Sequence, residues 1–405
     1  MSARTPIPLL LAASLAVAAV TDAEARRDRV RSELSTEVSL ESRWFWDEAQ
    51  FAEQSDADAA LIVQPEWYWE WKRRRAAVTF KPYLRLDSND SQRSAFDLRE
   101  AYVRFGSRHT ETRVGLRRVF WGATESVHLV DIINQTDTVS NPDGEDKLGQ
   151  PMINVAWIGD YGTLDAFLMP VFRERPFAGP EGRLRAGLPI DESAARYESS
   201  REHLHPDYAL RWFKTLGPAD VGIGWFDGTS RAPRFEVELR PGGPVLIPVY
   251  EQIRQASLDV TAAVGGLLLK AEGYHRRSER GDYVAAAGGF EYTFVGVFGS
   301  AVDVGLLGEY LWDERDDPAA SPFEDDVFAG IRIAGNDIAS TQLLAGAIMD
   351  NDSDAVFGTV EASRRFGNHW KAVLELRVFD STEPGSQLNG AETDDYLSLE
   401  IMLFF

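Results

Sequence analysis

The densest chemistry in the sequence lies between Arg113 and Gln150. Arg113, Gly115 and Arg117 recur at two-residue spacing, so in an extended strand they share one face. Past Trp121-Gly122 the chain holds Glu125, Asp131, Asp137, Asp143, Glu145 and Asp146, with Lys147 as the one Lys or Arg as far as Gln150. Arg85, Arg99 and Arg104 lie on the alternating segments just before. Acids set against bases across a narrow, low-dielectric passage would sort solutes by charge. As the bland alternative, all of them are solvated charges with no selective role.

Other chemistry is thin. There is no Gly-x-Ser-x-Gly, no Gly-x-x-x-x-Gly-Lys and no His-Glu-x-x-His. Asp350, Asp352, Asp354 and Glu361 have calcium-loop spacing, but Ala355 stands where that loop needs Gly. His203 and His205 lack an identifiable third ligand. Cysteine is absent, which excludes disulfides, thiolate metal sites and cysteine nucleophiles. The expectation is no enzyme, no metal and no cofactor. A hydrolase embedded in a barrel and a structural or adhesion barrel are the alternatives from other classes.

The elements that must position these groups are strands. Leu61, Val63, Trp67, Trp69 and Trp71 alternate with Gln64, Glu66, Glu70 and Lys72. Val78, Phe80, Leu84 and Leu86 alternate with Thr79, Lys81, Arg85 and Asp87. About 18 such period-two segments can be counted, with 16 as the other count. The connections between them alternate short and long. Lys72–Arg75, Gly106–Thr110, Gly159–Gly162, Leu216–Ala219, Val264–Gly266, Gly296–Gly299, Gly335-Asn336 and Phe366–Asn368 are short. Asp47–Asp58, Asp87–Ser94, Gly122–Gln150, Arg173–Pro206, Gly228–Val249, Arg277–Asp282, Asp313–Pro322, Asp350–Ser353 and Asp380–Asp394 form the mostly longer, polar set. Short turns at one end and longer loops at the other predict an all-β, transmembrane antiparallel β-barrel. A soluble propeller or sandwich gives no reason for the asymmetry.

Ile7 to Val20 is apolar and Ala23-Glu24-Ala25 is a small-x-small cleavage site, so residues 1–25 read as a signal peptide and 26–405 as the barrel. Removing Arg4, Asp22 and Glu24 takes 42 basic and 64 acidic residues to 41 and 62, a net charge of -21. Such acidity argues against nucleic-acid binding. Hydrophobic residues make up 44%, which suits a wall where alternate residues face lipid. Acidic outer loops could bridge to anionic lipopolysaccharide through divalent cations, or be a solvated rim. Glu48, Glu53 and Asp56 lie in the first such loop, and Glu383 and Glu392 in the last.

The tail from Leu397 through Leu399, Ile401 and Leu403 to Phe405 alternates without a break. It resembles the C-terminal signature by which Gram-negative outer-membrane barrels are recognised by the β-barrel assembly machinery. The Gly122–Gln150 stretch resembles, in position, length and charge, the third loop of general porins, which folds into the lumen and narrows it. Gly115-Leu116-Arg117, Trp121-Gly122 and Asp131-Ile132-Ile133-Asn134 are similar to a run in a little-characterised family of predicted Gram-negative outer-membrane porins, though that family has a direct Gly-Arg pair. The resemblance implies outer-membrane localisation, contact with its lipid and lipopolysaccharide, and passive diffusion of small polar or charged solutes. It also implies a homotrimer as one assembly; the second reading within the same fold is an export conduit for a polymer or secreted compound. The constriction would be lined by Arg85, Arg99, Arg104, Arg113, Arg117, Glu125, Asp131 and Asp137.

Overall fold

The computed structural model describes residues 30–315, 323–380 and 391–405. The expected signal segment, residues 1–25, and the loop residue Glu383 lie outside the described residues. Eighteen antiparallel strands close into one barrel. They are β1 (Val30–Phe45), β2 (Ala57–Trp71), β3 (Ala76–Asp87), β4 (Ala95–Gly106), β5 (Thr110–Arg117), β6 (Gln150–Gly159), β7 (Gly162–Met169), β9 (Asp207–Leu216), β10 (Ala219–Thr229), β13 (Gln252–Val264), β14 (Leu267–Ser278), β15 (Gly281–Phe294), β16 (Asp303–Asp313), β17 (Asp325–Ala334), β18 (Gln342–Asp350), β19 (Val356–Phe366), β20 (Trp370–Asp380) and β21 (Tyr396–Phe404). Closure runs through β1 and β21, with Leu40 opposite Ile401 and Trp44 opposite Leu397. The amide of Thr36 donates to the Phe405 carbonyl at 2.8 Å, and the Phe405 amide donates back at 3.1 Å. Closure leaves no edge strand unpaired, which a bilayer requires.

Burial is inverted relative to a soluble protein. Leu40 is 58% exposed and Trp157 62%, whereas Glu41 (8%) and Arg85 (2%) on the opposite parity are buried. In water so large an apolar exterior would drive aggregation, but facing lipid it is satisfied. Outward aromatics form two belts. Trp44, Phe96, Tyr208, Trp225, Tyr310 and Trp312 mark the loop end; Phe105, Trp157, Tyr292, Phe294, Phe366 and Trp370 mark the turn end. Amphipathic rings at these depths suit the two water–lipid boundaries. Phe226, next in sequence to the outward Trp225, packs inside the lumen.

Nine connections lie at one end and eight at the other, as the alternating lengths predict. Three details differ. Arg277–Asp282, expected among the longer loops, is a tight hairpin joining β14 and β15, with Ser278 opposite Gly281. Gly228–Val249 is not plain loop: β11 (Arg234–Arg240) and β12 (Gly243–Tyr250) pair as a hairpin, and β8 (Arg196–Tyr197) adds to it. A β-bulge lies between β3 and β4, where Lys81 faces Glu100 and Pro82 faces Leu98, leaving Arg99 unmatched. Pro82 has no amide to give the ladder, so the bulge sits where a hydrogen bond is already missing. It lets Arg99, odd in number, turn inward on the same strand as Arg104.

Candidate functional site

The wall strand β5 is eight residues long against sixteen for β1. It stops partway up the wall, so the chain leaves the barrel at Arg117 and crosses its interior before re-entering at Gln150. Gly149 makes the re-entry tight: a Cβ there would lie 2.3 Å from the Arg99 carbonyl oxygen. Within the strand, Gly115 has φ +136°, and a Cβ would come within 2.1 Å of the Ala101 carbonyl. The glycine between the two arginines therefore serves close strand approach.

The 118–149 segment is anchored on three sides of the lumen. First, Trp121, Val130, Ile132 and Ile133 pack against Met152, Phe167, Met169, Phe226 and Ile253, which point inward from β6, β7, β10 and β13. Second, buried carboxylates on the adjoining wall, from β14 and β16, accept from loop amides. Glu309 takes the amides of Glu125 and Ser126 at 2.8 Å each and the Ser126 hydroxyl at 2.6 Å. Glu272 takes the amides of Ala123, at 2.7 Å, and Leu129. Third, Arg43 donates to the Ser140 carbonyl at 2.8 Å, Asn141 donates to Glu375 at 3.3 Å, and Arg377 reaches Asp143 at 3.4 Å. Buried amides need acceptors, and these wall groups supply them in place of water.

The eight sequence candidates are distributed as follows. Arg99 and Asp137 are brought together at 2.5 Å, with Ser140 Oγ also donating to Asp137. Burial alone would raise the Asp137 carboxyl, but the Arg99 guanidinium overrides it and holds it below the usual range. Glu125 reaches Lys270 at 3.1 Å and Arg332 at 2.7 Å, two wall bases the sequence reading missed. They outweigh burial and hold Glu125 below the usual value. Asp131 stays inside its own loop, 3.3 Å from Lys147, and burial lifts its carboxyl. Arg85 bonds Glu41 at 2.7 Å, and Arg43 and Arg93 share that carboxylate. Arg104 and Arg113 bracket Glu111 near the turn end. Arg117 donates to Asn154 at 2.8 Å, beside Arg113 at 3.3 Å. Only the Arg99–Asp137 contact joins a candidate base to a candidate acid.

A cavity of about 1570 Å³ opens between this inward loop and the outer loops. Glu125, His128, Asp143 and Glu145 border it from the inward loop, and Phe328, Ile348, Glu361 and Arg377 from the wall. Of the eight candidates, Glu125 borders it. Among the described residues no three His, Asp or Glu side chains gather as a metal site, and Glu361 of the calcium-like spacing is bonded to Arg377 at 2.7 Å.

The fold and lumen define a transmembrane β-barrel of porin-like architecture: closed, short-turned at one end, with one long loop folded inside. No family model matches the chain, and no curated protein matches it. Among solved structures it is similar to OmpT, an outer membrane protein of Vibrio cholerae in trimer form, at 10% identity and TM-score 0.48 over 93% of this chain and 100% of that one. It is similar to a mutant of Rh. blastica porin at 10% identity and TM-score 0.47, with the same coverage of both chains. A porin refined at 1.8 Å gives 12% identity and TM-score 0.42, again over 93% of this chain and all of that one.

Proposed function

We propose that this chain is a Gram-negative outer-membrane channel through which small polar or charged solutes diffuse passively, and that it is not an enzyme. The observation that carries this is the pairing of an apolar exterior with a charged interior enclosing a cavity of about 1570 Å³. Barrels of this strand number are wide enough to hold water. The inward loop sets the narrow point where Glu125 meets Lys270 and Arg332, and where Asp143 and Glu145 approach Arg377 and Glu361. The charge-sorting site thus shifts from the Arg85–Arg117 wall toward the Glu125 side of the loop. Signal cleavage near Ala25, assembly through Leu397–Phe405, lipopolysaccharide contact and a homotrimer belong to the same reading.

Refolded protein in a planar bilayer gives discrete conductance steps, and reversing Glu125 to Lys shifts the reversal potential toward anions. A silent bilayer with correctly folded protein overturns the channel. Release of fatty acid from phospholipid, or cleavage of peptides, by the same preparation overturns the non-enzyme reading.

A further inference from the structure

The turn end of the barrel is charged unevenly. Lys72, Arg73, Arg74 and Arg75 make up the turn between β2 and β3, and Arg108 lies in the turn between β4 and β5. The other six turns hold no Lys or Arg, and their charged residues are Asp160 and Asp337. The two basic turns touch: the Gly106 amide donates to the Arg75 carbonyl at 2.7 Å. All five basic residues are exposed. Among the described residues, Lys72, Arg73, Arg75 and Arg108 have no carboxylate partner. The acids at the same ends of β1, β2 and β5 are matched elsewhere, Glu33 by Arg31, and Glu70 and Glu111 by Arg104 and Arg113. Arg365 and Lys371, opposite each other beside the β19–β20 turn, share the inward parity of Glu361 and so face away from lipid. A positive patch therefore stands on one sector of a strongly acidic protein.

Turn geometry does not ask for these side chains. Arg75 has φ +48°, whereas the left-handed residues of the β9–β10, β13–β14 and β19–β20 turns are Gly217, Gly265 and Gly367. A side chain in that region is strained where glycine is not. The arginine is thus explained by its charge, not by the backbone that carries it. Next to the patch the outer wall is aromatic. Trp67, Trp69 and Trp71 share the outward parity of Leu61 on β2, and Phe105 is outward on β4. Phe80 lies opposite Trp67 on β3, with ring centroids 5.7 Å apart. Trp71 runs directly into Lys72. At about 3.3 Å per residue, the four-residue turn stays within roughly 7 Å of that ring. The headgroup layer is roughly 5–7 Å deep on each side of the hydrocarbon. The bases therefore sit at the depth of lipid phosphates, which favours a lipid over a soluble acidic partner. Interfacial rings with bases one layer beyond them suit an anionic headgroup.

We propose that the β2–β3 and β4–β5 turns bind the headgroup phosphate of anionic phospholipids in the leaflet at the turn end, with Trp69, Trp71 and Phe105 against the glycerol and upper acyl chains. Guanidinium groups fork onto phosphate oxygens, and Lys72 adds a point charge. In the outer-membrane reading, on which this rests, that leaflet faces the periplasm.

The test is native mass spectrometry of the folded protein in neutral detergent, titrated with phosphatidylglycerol and with phosphatidylcholine of the same acyl chains. The expected result is that phosphatidylglycerol binds tenfold or more tightly than phosphatidylcholine. The K72Q/R73Q/R75Q/R108Q variant, shown folded by circular dichroism, brings that ratio below threefold. R254Q/R277Q/R280Q, which removes bases held by acids at the loop end, keeps it. Equal binding of the two lipids, or a quadruple variant that prefers phosphatidylglycerol as the parent does, overturns the proposal. Polyglutamate that binds as tightly as phosphatidylglycerol makes the patch a site for a soluble acidic partner and also overturns it. Lipid preference in a protein that fractionates with the inner membrane upholds the patch and overturns the outer-membrane reading. Outer-membrane fractionation without lipid preference upholds that reading and overturns the patch.

Discussion

Replacing Glu309 with Ala tests whether wall carboxylates hold the inward loop. Glu309 is buried and accepts two loop amides at 2.8 Å and the Ser126 hydroxyl at 2.6 Å. A hydrogen bond to a charged group contributes about 1.5–3 kcal/mol, and water in the lumen replaces part of that. Taking the low end for each of the two amides gives about 3 kcal/mol of local anchoring, or roughly a hundredfold in loop opening. The barrel does not share the loss, because its strands are paired independently of this loop. Hydrogen exchange of peptides spanning residues 118–149 reads it directly: their protection falls about a hundredfold while wall strands keep theirs. E309Q retains one acceptor oxygen and falls about tenfold. Unchanged loop protection in E309A, or an equal loss in β10 and β13, refutes the reasoning.

Three further outcomes follow from the geometry. Asp143 sits in the inward loop with its carboxyl raised to about 7, burial outweighing Arg377. The docked loop therefore holds a proton that the released loop sheds near the ordinary carboxylate value, so docking strengthens as pH falls from 7 toward 4. Loop protection rises over that window, and D143N flattens the profile. R99A leaves Asp137 buried without its cation and loosens the loop by about 3 kcal/mol, more than the R99A/D137N double variant, in a double-mutant cycle read by exchange. G149A lowers the thermal midpoint of the refolded barrel well beyond G217A. The first presses a Cβ onto the Arg99 carbonyl, whereas Gly217 meets nothing within 4 Å and costs about 1 kcal/mol for its positive φ.

Much of the wall could be read from residue types because lipid enforces period two strictly. The outward direction of Trp44 and Leu40 follows from that parity, as does the inward direction of Arg85, Arg113 and Arg117; the residue-by-residue register across the closing seam does not. Arg99 could not be placed by parity, since the bulge beside Pro82 resets it. The inward loop was legible from its length and acidity, but not what holds it. Glu272 and Glu309 look like any lumen carboxylate in sequence, and their role depends on amides more than 140 residues away. Lys270 and Arg332 escaped for the same reason: their partner Glu125 is remote in the chain. The β11–β12 hairpin was hidden because Arg240-Pro241-Gly242-Gly243 reads as loop punctuation as readily as a turn.

Net charge and interior charge give different answers about what this barrel favours. A net charge of -22 describes the whole molecule, but much of it lies on outer loops in contact with bulk salt. At physiological ionic strength such fields decay over about 8 Å. Inside the lumen most acids are matched by bases at contact distance, as Glu41 with three arginines and Asp259 with Arg211. Matched pairs leave small residual fields. What a solute would feel beside the inward loop is then set by charges that are incompletely matched in both signs. Among the described residues Arg175, Arg185 and Arg276 have no carboxylate within ion-pair distance, while Arg377 alone serves Asp143, Glu361 and Glu375. With both signs present there, the acidic outer loops are expected to supply most of any preference, and that preference is for cations. Raising the salt from 0.1 to 1 M screens those loops, so the selectivity is expected to move toward neutral as salt increases. A cation preference that persists at 1 M would mean that unpaired acids govern the narrow part of the path.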